Sequence, residues 1–125
     1  MLDHVSFGVR DVAAARRFYD AVLGPLGYRC LHSGDDYAGY GAEAPGFWLS
    51  VAEHPVPADA KSGLHLCFVA PTRAAVDQFH AAGLAAGGRD NGAPGLRPDY
   101  GADYYAAFLV DPQGYRIEAH CDKAA

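Results

Sequence analysis

The hydrophobic residues of the chain follow a strand pattern and then a helix pattern, and this order occurs twice. Residues 2–9 and 64–70 are short runs rich in Val, Leu and Phe, as is typical of strands. Each run is followed by apolar residues at helical spacing, beginning after Asp11 in the first half and after Thr72 in the second. Both residues are good helix N-caps. The pattern predicts a strand and a one-sided helix at the start of each half.

The two halves form an internal repeat. With an offset of 61 positions they align without a gap through the predicted strand and helix. The identities are His4 with His65, Phe7 with Phe68, Ala14 with Ala75, Phe18 with Phe79, Ala21 with Ala82, Leu23 with Leu84 and Gly27 with Gly88. Later segments repeat with an offset of 68, which matches Gly46 to Gly114 and places an insertion around residues 90–103. Each half is therefore predicted to be a βαβββ unit, over about residues 1–55 and 62–122 of one domain, 1–125.

Charge and composition exclude several classes of function. The formal net charge of −5 argues against a nucleic-acid partner or an anionic membrane surface. No apolar run approaches the roughly 20 residues needed to span a bilayer. The N-terminus lacks the features of a secretory signal, and the three cysteines have no CxxC spacing. We therefore expect a cytoplasmic protein without a disulfide framework, zinc knuckle or membrane partner. Phosphate-loop and GxSxG motifs are also absent from the sequence.

Strand alternation places three candidate metal ligands on one side of the predicted sheet. Val5 and Phe7 are apolar, which leaves His4 on the opposite face, and the same argument selects His65 and Glu118. Two imidazoles and a carboxylate suit a divalent transition metal that keeps coordination positions open. The alternative is that each is an ordinary strand residue, hydrogen-bonded or exposed.

These residues carry a resemblance to the vicinal oxygen chelate superfamily, which includes glyoxalase I, type I extradiol dioxygenases and fosfomycin- and bleomycin-resistance proteins. The resemblance lies in the opening segment 2–28, the GLHLCF strand and the closing FLVDPQGYRIEAHC, whose DPxGxxIE element is the most diagnostic. It implies an α+β fold in which two βαβββ repeats form a cupped, barrel-like mixed sheet with helices on the outside. It also implies that His4, His65 and Glu118 bind a divalent Fe, Mn, Zn, Ni or Co ion.

One position departs from glyoxalase I, which has a second ligating Glu near the end of its first unit. The repeat alignment places Ser50 opposite Glu118, and serine is a weak ligand. This favours three protein ligands and argues against glyoxalase I itself. The chain more closely resembles small bacterial glyoxalase-like or bleomycin-resistance-like members, which generally have no assigned substrate.

Further residues are candidates for a ligand pocket. Besides Ser50, they are Cys67, on the predicted cavity face, Arg97, suited to a bidentate contact with a substrate carboxylate, and Tyr105. Tyr105 belongs to a cluster with Tyr100, Asp103 and Tyr104. The alternatives are a small buried cysteine, an ordinary loop arginine and tyrosines that pack on the core.

Two functions remain open. The first is a metal-dependent enzyme of the glyoxalase or dioxygenase type, acting on a small molecule with vicinal oxygens. The second is a protein that binds and sequesters a small molecule, such as a bleomycin-type antibiotic, without catalysis. We expect a homodimer, because a short module leaves sheet edges that pairing covers. Family members differ in whether the site lies within one chain or across the dimer, so both arrangements remain open.

Overall fold

The computed structural model describes residues 1–125, and its elements follow the order βαβββ twice. The strands are β1 (Val5–Val9), β2 (Arg29–Ser33), β3 (Tyr37–Gly41), β4 (Phe47–Val51), β5 (His65–Val69), β6 (Arg89–Leu96), β7 (Tyr105–Val110) and β8 (Arg116–Cys121). The helices are α1 (Val12–Leu23), extended by a 3-10 turn over Gly24–Leu26, and α2 (Arg73–Ala85). Neither helix is long and apolar enough to cross a membrane.

The predicted α+β fold is confirmed, with its eight strands divided between two four-stranded mixed sheets. The strand order is β1-β4-β3-β2 in the first sheet and β5-β8-β7-β6 in the second. In each sheet the first and last strands of the unit pair in parallel, and the other pairs are antiparallel. The sheets are cupped rather than closed into a barrel. β1 and β5 therefore lie at the edges of their own sheets.

Both predicted N-caps are confirmed. The Asp11 carboxylate accepts a hydrogen bond from the backbone N–H of Ala14 at 3.0 Å, and the Thr72 hydroxyl accepts one from the N–H of Ala75 at 3.1 Å. Each contact satisfies a backbone donor that has no partner within its helix. The two helices therefore begin at equivalent positions of the repeat.

Strand pairing corrects the sequence alignment of the repeat. Cys67 pairs with Glu118 between β5 and β8, whereas Ser6, the counterpart of Cys67, pairs with Trp48 between β1 and β4. Trp48, not Ser50, is therefore the structural counterpart of Glu118. The alignment was wrong because it matched Gly46 with Gly114, although the turns that contain these glycines place them differently relative to the paired strands. The first half still offers no carboxylate at this position.

The two halves share one hydrophobic core of 23 buried residues. Helix α1 packs on the first sheet, α2 packs on the second, and the helices contact each other. The ring of Phe7, on β1, stacks on that of Tyr115 with centroids 4.2 Å apart. The Tyr115 hydroxyl donates to the carbonyl of Gly8 at 2.6 Å. Side chains on the inner faces of both sheets thus meet, and the opposite faces, called here the outer faces, turn away from this core.

The turn before β8 requires both the Asp and the Gly of the sequence DPQG, which are Asp111 and Gly114. Asp111 is 3% exposed, and its carboxylate accepts hydrogen bonds from the backbone N–H groups of Gln113 and Tyr115 and from the Tyr19 hydroxyl. Gly114 has φ +101°, and a Cβ atom there would overlap the carbonyl of Ala58. A side chain at position 114 would be strained for both reasons. The turn therefore fixes where β8, and with it Glu118, begins.

Candidate functional site

His65 and Glu118 form the centre of the candidate site on the outer face of the second sheet. Because β5 and β8 pair in parallel, His65 lies beside Arg116 at the start of β8, and Glu118 lies beside Cys67, two residues further along β5. The Nε2 atom of His65 lies 2.7 Å from Oε1 of Glu118. The Glu118 side chain is only 6% exposed, while that of His65 is 42% exposed. The pair therefore combines a buried carboxylate with an imidazole that reaches solvent.

Tyr104 contacts the other oxygen of the carboxylate. Its hydroxyl donates to Oε2 of Glu118 at 2.7 Å. Burial, together with the hydrogen bond to Glu118, raises the pKa of Tyr104 above its usual value. The phenol therefore stays protonated at neutral pH and acts as a donor. Both oxygens of Glu118 have a defined partner, so the orientation of the carboxylate is fixed.

The ring of His120 packs against the ring of Tyr104. The two rings are stacked, with centroids 3.6 Å apart and planes inclined by 15°. The Nδ1 atom of His120 is buried and has no hydrogen-bond partner. From the sequence, Tyr104 is predicted only to belong to a tyrosine cluster. The signal that identifies it is its position directly before β7, the strand that pairs with β8.

Cys67 lies beside Glu118, as its strand position predicts. Burial and, to a smaller extent, the negative charge of Glu118 raise the pKa of its thiol to about 12. The thiol is therefore protonated at neutral pH and is a poor nucleophile. Cys67 is thus a small neutral neighbour of Glu118, and it lines an apolar cavity rather than the cleft that contains the pair.

His4 does not join this cluster within the chain. It lies directly before β1, and its Nδ1 atom is 2.7 Å from Oδ1 of Asp3, in a side chain that is 51% exposed. No group of three or more His, Cys, Asp or Glu side chains in the chain is arranged to hold a metal ion. One chain therefore brings together two of the three residues that sequence analysis selected.

The other pocket candidates are found in different surroundings. Ser50 lies on the first sheet, where it pairs with Gly8 and Tyr37. The Tyr105 hydroxyl donates to Asp77 of α2 at 2.6 Å, so this side chain faces the helix rather than the outer face. Arg97 lies over the ring of Phe108, with the guanidinium carbon 5.2 Å from the ring centroid. The Phe108 ring in turn lies 5.9 Å from the ring of His65, so Phe108 stands between Arg97 and the His65–Glu118 pair.

Two cavities differ in their chemistry. An open cleft of about 790 Å³ contains the pair and is lined by His65, Asp99, Tyr100, Tyr104, Phe108 and Glu118. A second cavity of about 360 Å³ lies between β5 and the first half and is almost entirely apolar. Leu2 and Val69, which are 75% and 67% exposed, line this second cavity. The polar groups suited to chemistry lie in the first cleft, which is large enough for a small-molecule ligand.

The donors in the cleft fit part of a divalent metal site. An imidazole nitrogen and a carboxylate oxygen already converge, and they are ligand types that such metals prefer. Glu118 forms no ion pair with Lys or Arg, and its side-chain partners within the chain are His65 and Tyr104. The pair supplies two ligand positions, and any third protein ligand must come from outside this cluster.

Comparison with known proteins agrees with the fold and the closing motif. The sequence profile of the Glyoxalase/Bleomycin resistance protein/Dioxygenase superfamily matches residues 1–119. A glyoxalase/bleomycin resistance protein from Albidiferax ferrireducens T118 has 36% sequence identity and a TM-score of 0.80, with 96% of this chain and 97% of that chain covered.

More distant structures share the fold. A glyoxalase/bleomycin resistance protein/dioxygenase family enzyme from Burkholderia phytofirmans PsJN has 21% identity and a TM-score of 0.72, with 97% and 98% of the two chains covered. The fosfomycin resistance protein FosX from Mesorhizobium loti has 16% identity and a TM-score of 0.69, with 98% and 92% covered. Among curated protein sequences, none matches this chain.

Proposed function

The chain belongs to the glyoxalase/bleomycin resistance protein/dioxygenase superfamily, and from this premise we propose that it is a metal-dependent enzyme acting on a small molecule with vicinal oxygens. The observation that carries the proposal is the His65–Glu118 pair. Its atoms are 2.7 Å apart, and Tyr104 holds the second carboxylate oxygen. A buried carboxylate is costly to desolvate, and here it is kept on the wall of an open cleft with a defined partner on each oxygen.

We propose that the third ligand is His4 of a second copy of the chain. His4 and the His65–Glu118 pair do not form one cluster within a single chain. β1 and β5, which carry or adjoin the two histidines, are both edge strands. The apolar cavity between β5 and the first half is flanked by the exposed Leu2 and Val69, which gives a dimer interface apolar surface to bury.

The residues of the cleft would have different roles at such a site. When bound, a divalent metal supplies Lewis acidity toward two neighbouring substrate oxygens. Glu118 supplies negative charge that offsets part of the metal's charge, and Tyr104 keeps the carboxylate in one orientation. Phe108 and Tyr100 form apolar walls of the cleft, which reduce the access of water to the bound molecule.

Metal analysis of protein purified without a chelator tests the proposal. We expect about one divalent ion per chain in the wild type, and its loss in His4→Ala, His65→Ala and Glu118→Ala, because each variant removes one of three ligands. His54→Ala is the matched control, since the His54 side chain is 88% exposed. A wild type that remains free of metal after incubation with Fe²⁺, Mn²⁺, Ni²⁺, Co²⁺ and Zn²⁺ would contradict the proposal.

Removing the Tyr104 hydroxyl is expected to weaken metal binding without abolishing it. In Tyr104→Phe, Glu118 loses the donor on Oε2, and loss of such a partner typically lowers metal affinity by about tenfold to a hundredfold. Competition with a fluorescent chelator measures this change. Tyr100→Phe serves as control, because the Tyr100 hydroxyl forms no hydrogen bond to another side chain. Equal affinities for Tyr104→Phe and the wild type would show that the contact does not orient a ligand.

The competing function is binding of a small molecule without catalysis. It is favoured by the incomplete ligand set of the single chain, which holds two candidate ligands where three are needed. The metal analysis separates the two functions. A protein that stays free of metal and still binds a small aromatic molecule would be assigned to sequestration.

A further inference from the structure

We propose that Arg97 determines specificity at this site by binding a carboxylate at the far end of the substrate. The inference rests on the proposed function, since it takes His65 and Glu118 as the end that binds the vicinal oxygens. It extends that function by naming the substrate class, which is a small acid with neighbouring oxygens at one end and a separate carboxylate at the other.

The backbone places Arg97 opposite Tyr104, which lines the cleft. Its N–H donates to the carbonyl of Tyr104 at 2.8 Å, and Tyr104 contacts Glu118 through its hydroxyl. The guanidinium carbon lies 5.2 Å from the centroid of the Phe108 ring, and that ring lies 5.9 Å from the ring of His65. A single aromatic side chain therefore separates Arg97 from the candidate ligand pair.

The guanidinium is held in one orientation by its surroundings. Its Nη2 atom donates to the carbonyl of Ala93 at 2.7 Å, and its central carbon lies over the Phe108 ring at the distance of a cation–π contact. Two glycines leave the space that it occupies. A Cβ atom at Gly92 would lie 3.3 Å from Nη2, and one at Gly95 would lie 3.2 Å from Nη1. A flexible surface arginine has no such cradle, so Arg97 is preorganised for a contact.

The charge of Arg97 has no carboxylate partner in the chain. Arg73 and Arg16 approach Asp103 and Asp20 at 3.4 and 4.0 Å, whereas Arg97 makes no ion pair. Its side-chain hydrogen bonds go to the carbonyls of Ala93 and Leu96, which use two of its five N–H donors. The remaining donors are available to a planar carboxylate, which guanidinium binds with paired hydrogen bonds.

Together these contacts define the shape of the ligand. Its oxygens meet the His65–Glu118 end, its middle lies along Phe108, and its carboxylate meets Arg97. A substrate without the distal carboxylate would leave the cradled guanidinium unpaired and would bind more weakly. The site is therefore built to distinguish a dicarboxylate from the matching monocarboxylate.

Two probes that differ only in this group test the inference. 2-Oxoglutarate and 2-oxopentanoate share a 2-oxo acid end, and only the first has a distal carboxylate. Calorimetric titration of the Ni²⁺-loaded wild type is expected to give binding of 2-oxoglutarate that is roughly tenfold to a hundredfold tighter. Arg97→Met should weaken 2-oxoglutarate alone and bring the two dissociation constants together, and Arg97→Lys should restore part of the difference. Arg89→Met, on the same strand, should leave the ratio unchanged.

The ratio of the two dissociation constants is a readout that a purely structural role would not move. Equal binding of both probes by the wild type, absence of 2-oxoglutarate binding, or equal weakening of both probes in Arg97→Met would overturn the inference. His65→Ala separates it from the proposed function, because loss of the metal should weaken both probes alike. A ratio that depends on Arg97 while His65→Ala binds both probes normally would leave the carboxylate site standing and remove the metal site.

Discussion

A heterodimer of His4→Ala and His65→Ala chains is expected to bind about one metal ion per dimer, although each variant alone binds none. One of its two sites combines the intact His4 of the His65→Ala chain with the intact His65 and Glu118 of the His4→Ala chain. The other site carries both substitutions. Restoration occurs only if the ligands of one site come from two chains.

Co-expression of the two variants with different affinity tags, followed by purification on both tags, isolates the heterodimer for metal analysis. The control is the heterodimer of His65→Ala and Glu118→Ala, whose substitutions fall in the same half-site and which should remain free of metal. If the first heterodimer also lacks metal while the doubly tagged wild type binds about two ions, the proposal that two chains share each site is wrong.

The second large effect is expected for Asp111→Ala, which should lower the free energy of unfolding by about 4 kcal/mol. The substitution leaves the buried Tyr19 hydroxyl and the N–H of Tyr115 without the acceptor that they now share. Each orphaned buried donor costs about 1–3 kcal/mol. Thermal unfolding should show a fall in Tm of roughly 10–20 °C, and urea unfolding measures the free energy directly.

Asp59→Ala provides the comparison for Asp111. The Asp59 carboxylate also accepts two backbone hydrogen bonds, from Lys61 and Ser62, but it lies in an exposed turn where water replaces it. We expect a change of less than about 1 kcal/mol there. Asp111→Asn, which keeps one oxygen acceptor, should fall between the two. An Asp111→Ala protein as stable as Asp59→Ala would mean that this turn does not hold the two halves together.

The sequence was sufficient to predict the repeat and the order of its elements because both depend on local chemistry. Alternation of Val5, Phe7 and Val9 predicts a strand, and Asp11 and Thr72 each satisfy a helix N-terminus within a few residues. The choice of His65 and Glu118 as neighbours succeeded for a related reason. Equivalent units fold alike, so a residue at the start of β5 was expected beside the closing strand.

Strand register and side-chain contacts between distant segments could not be predicted from the sequence. The alignment that put Ser50 opposite Glu118 relied on matching glycines, whereas backbone pairing makes Trp48 the counterpart. Tyr105 was selected as a pocket residue, but Tyr104 is the one that donates to Glu118. Neighbouring strand residues point to opposite faces of the sheet, so an error of one residue at the start of β7 selects the wrong face. Whether His4 meets the pair depends on how whole units associate, which periodicity does not describe.

The same register position carries Glu118 in one half of the chain and Trp48 in the other, and this makes the duplicated halves chemically unlike. Trp48 stacks against His32 with ring centroids 6.1 Å apart, and Tyr37 leans toward it at 6.4 Å. A cup built from identical halves would present the same surface from either end and would accept a ligand in two directions. Glu118 instead gives the outer face of the second sheet a carboxylate, and Trp48 gives the outer face of the first sheet an indole ring. One difference at equivalent positions is thus enough to give the two halves of the chain different chemistry.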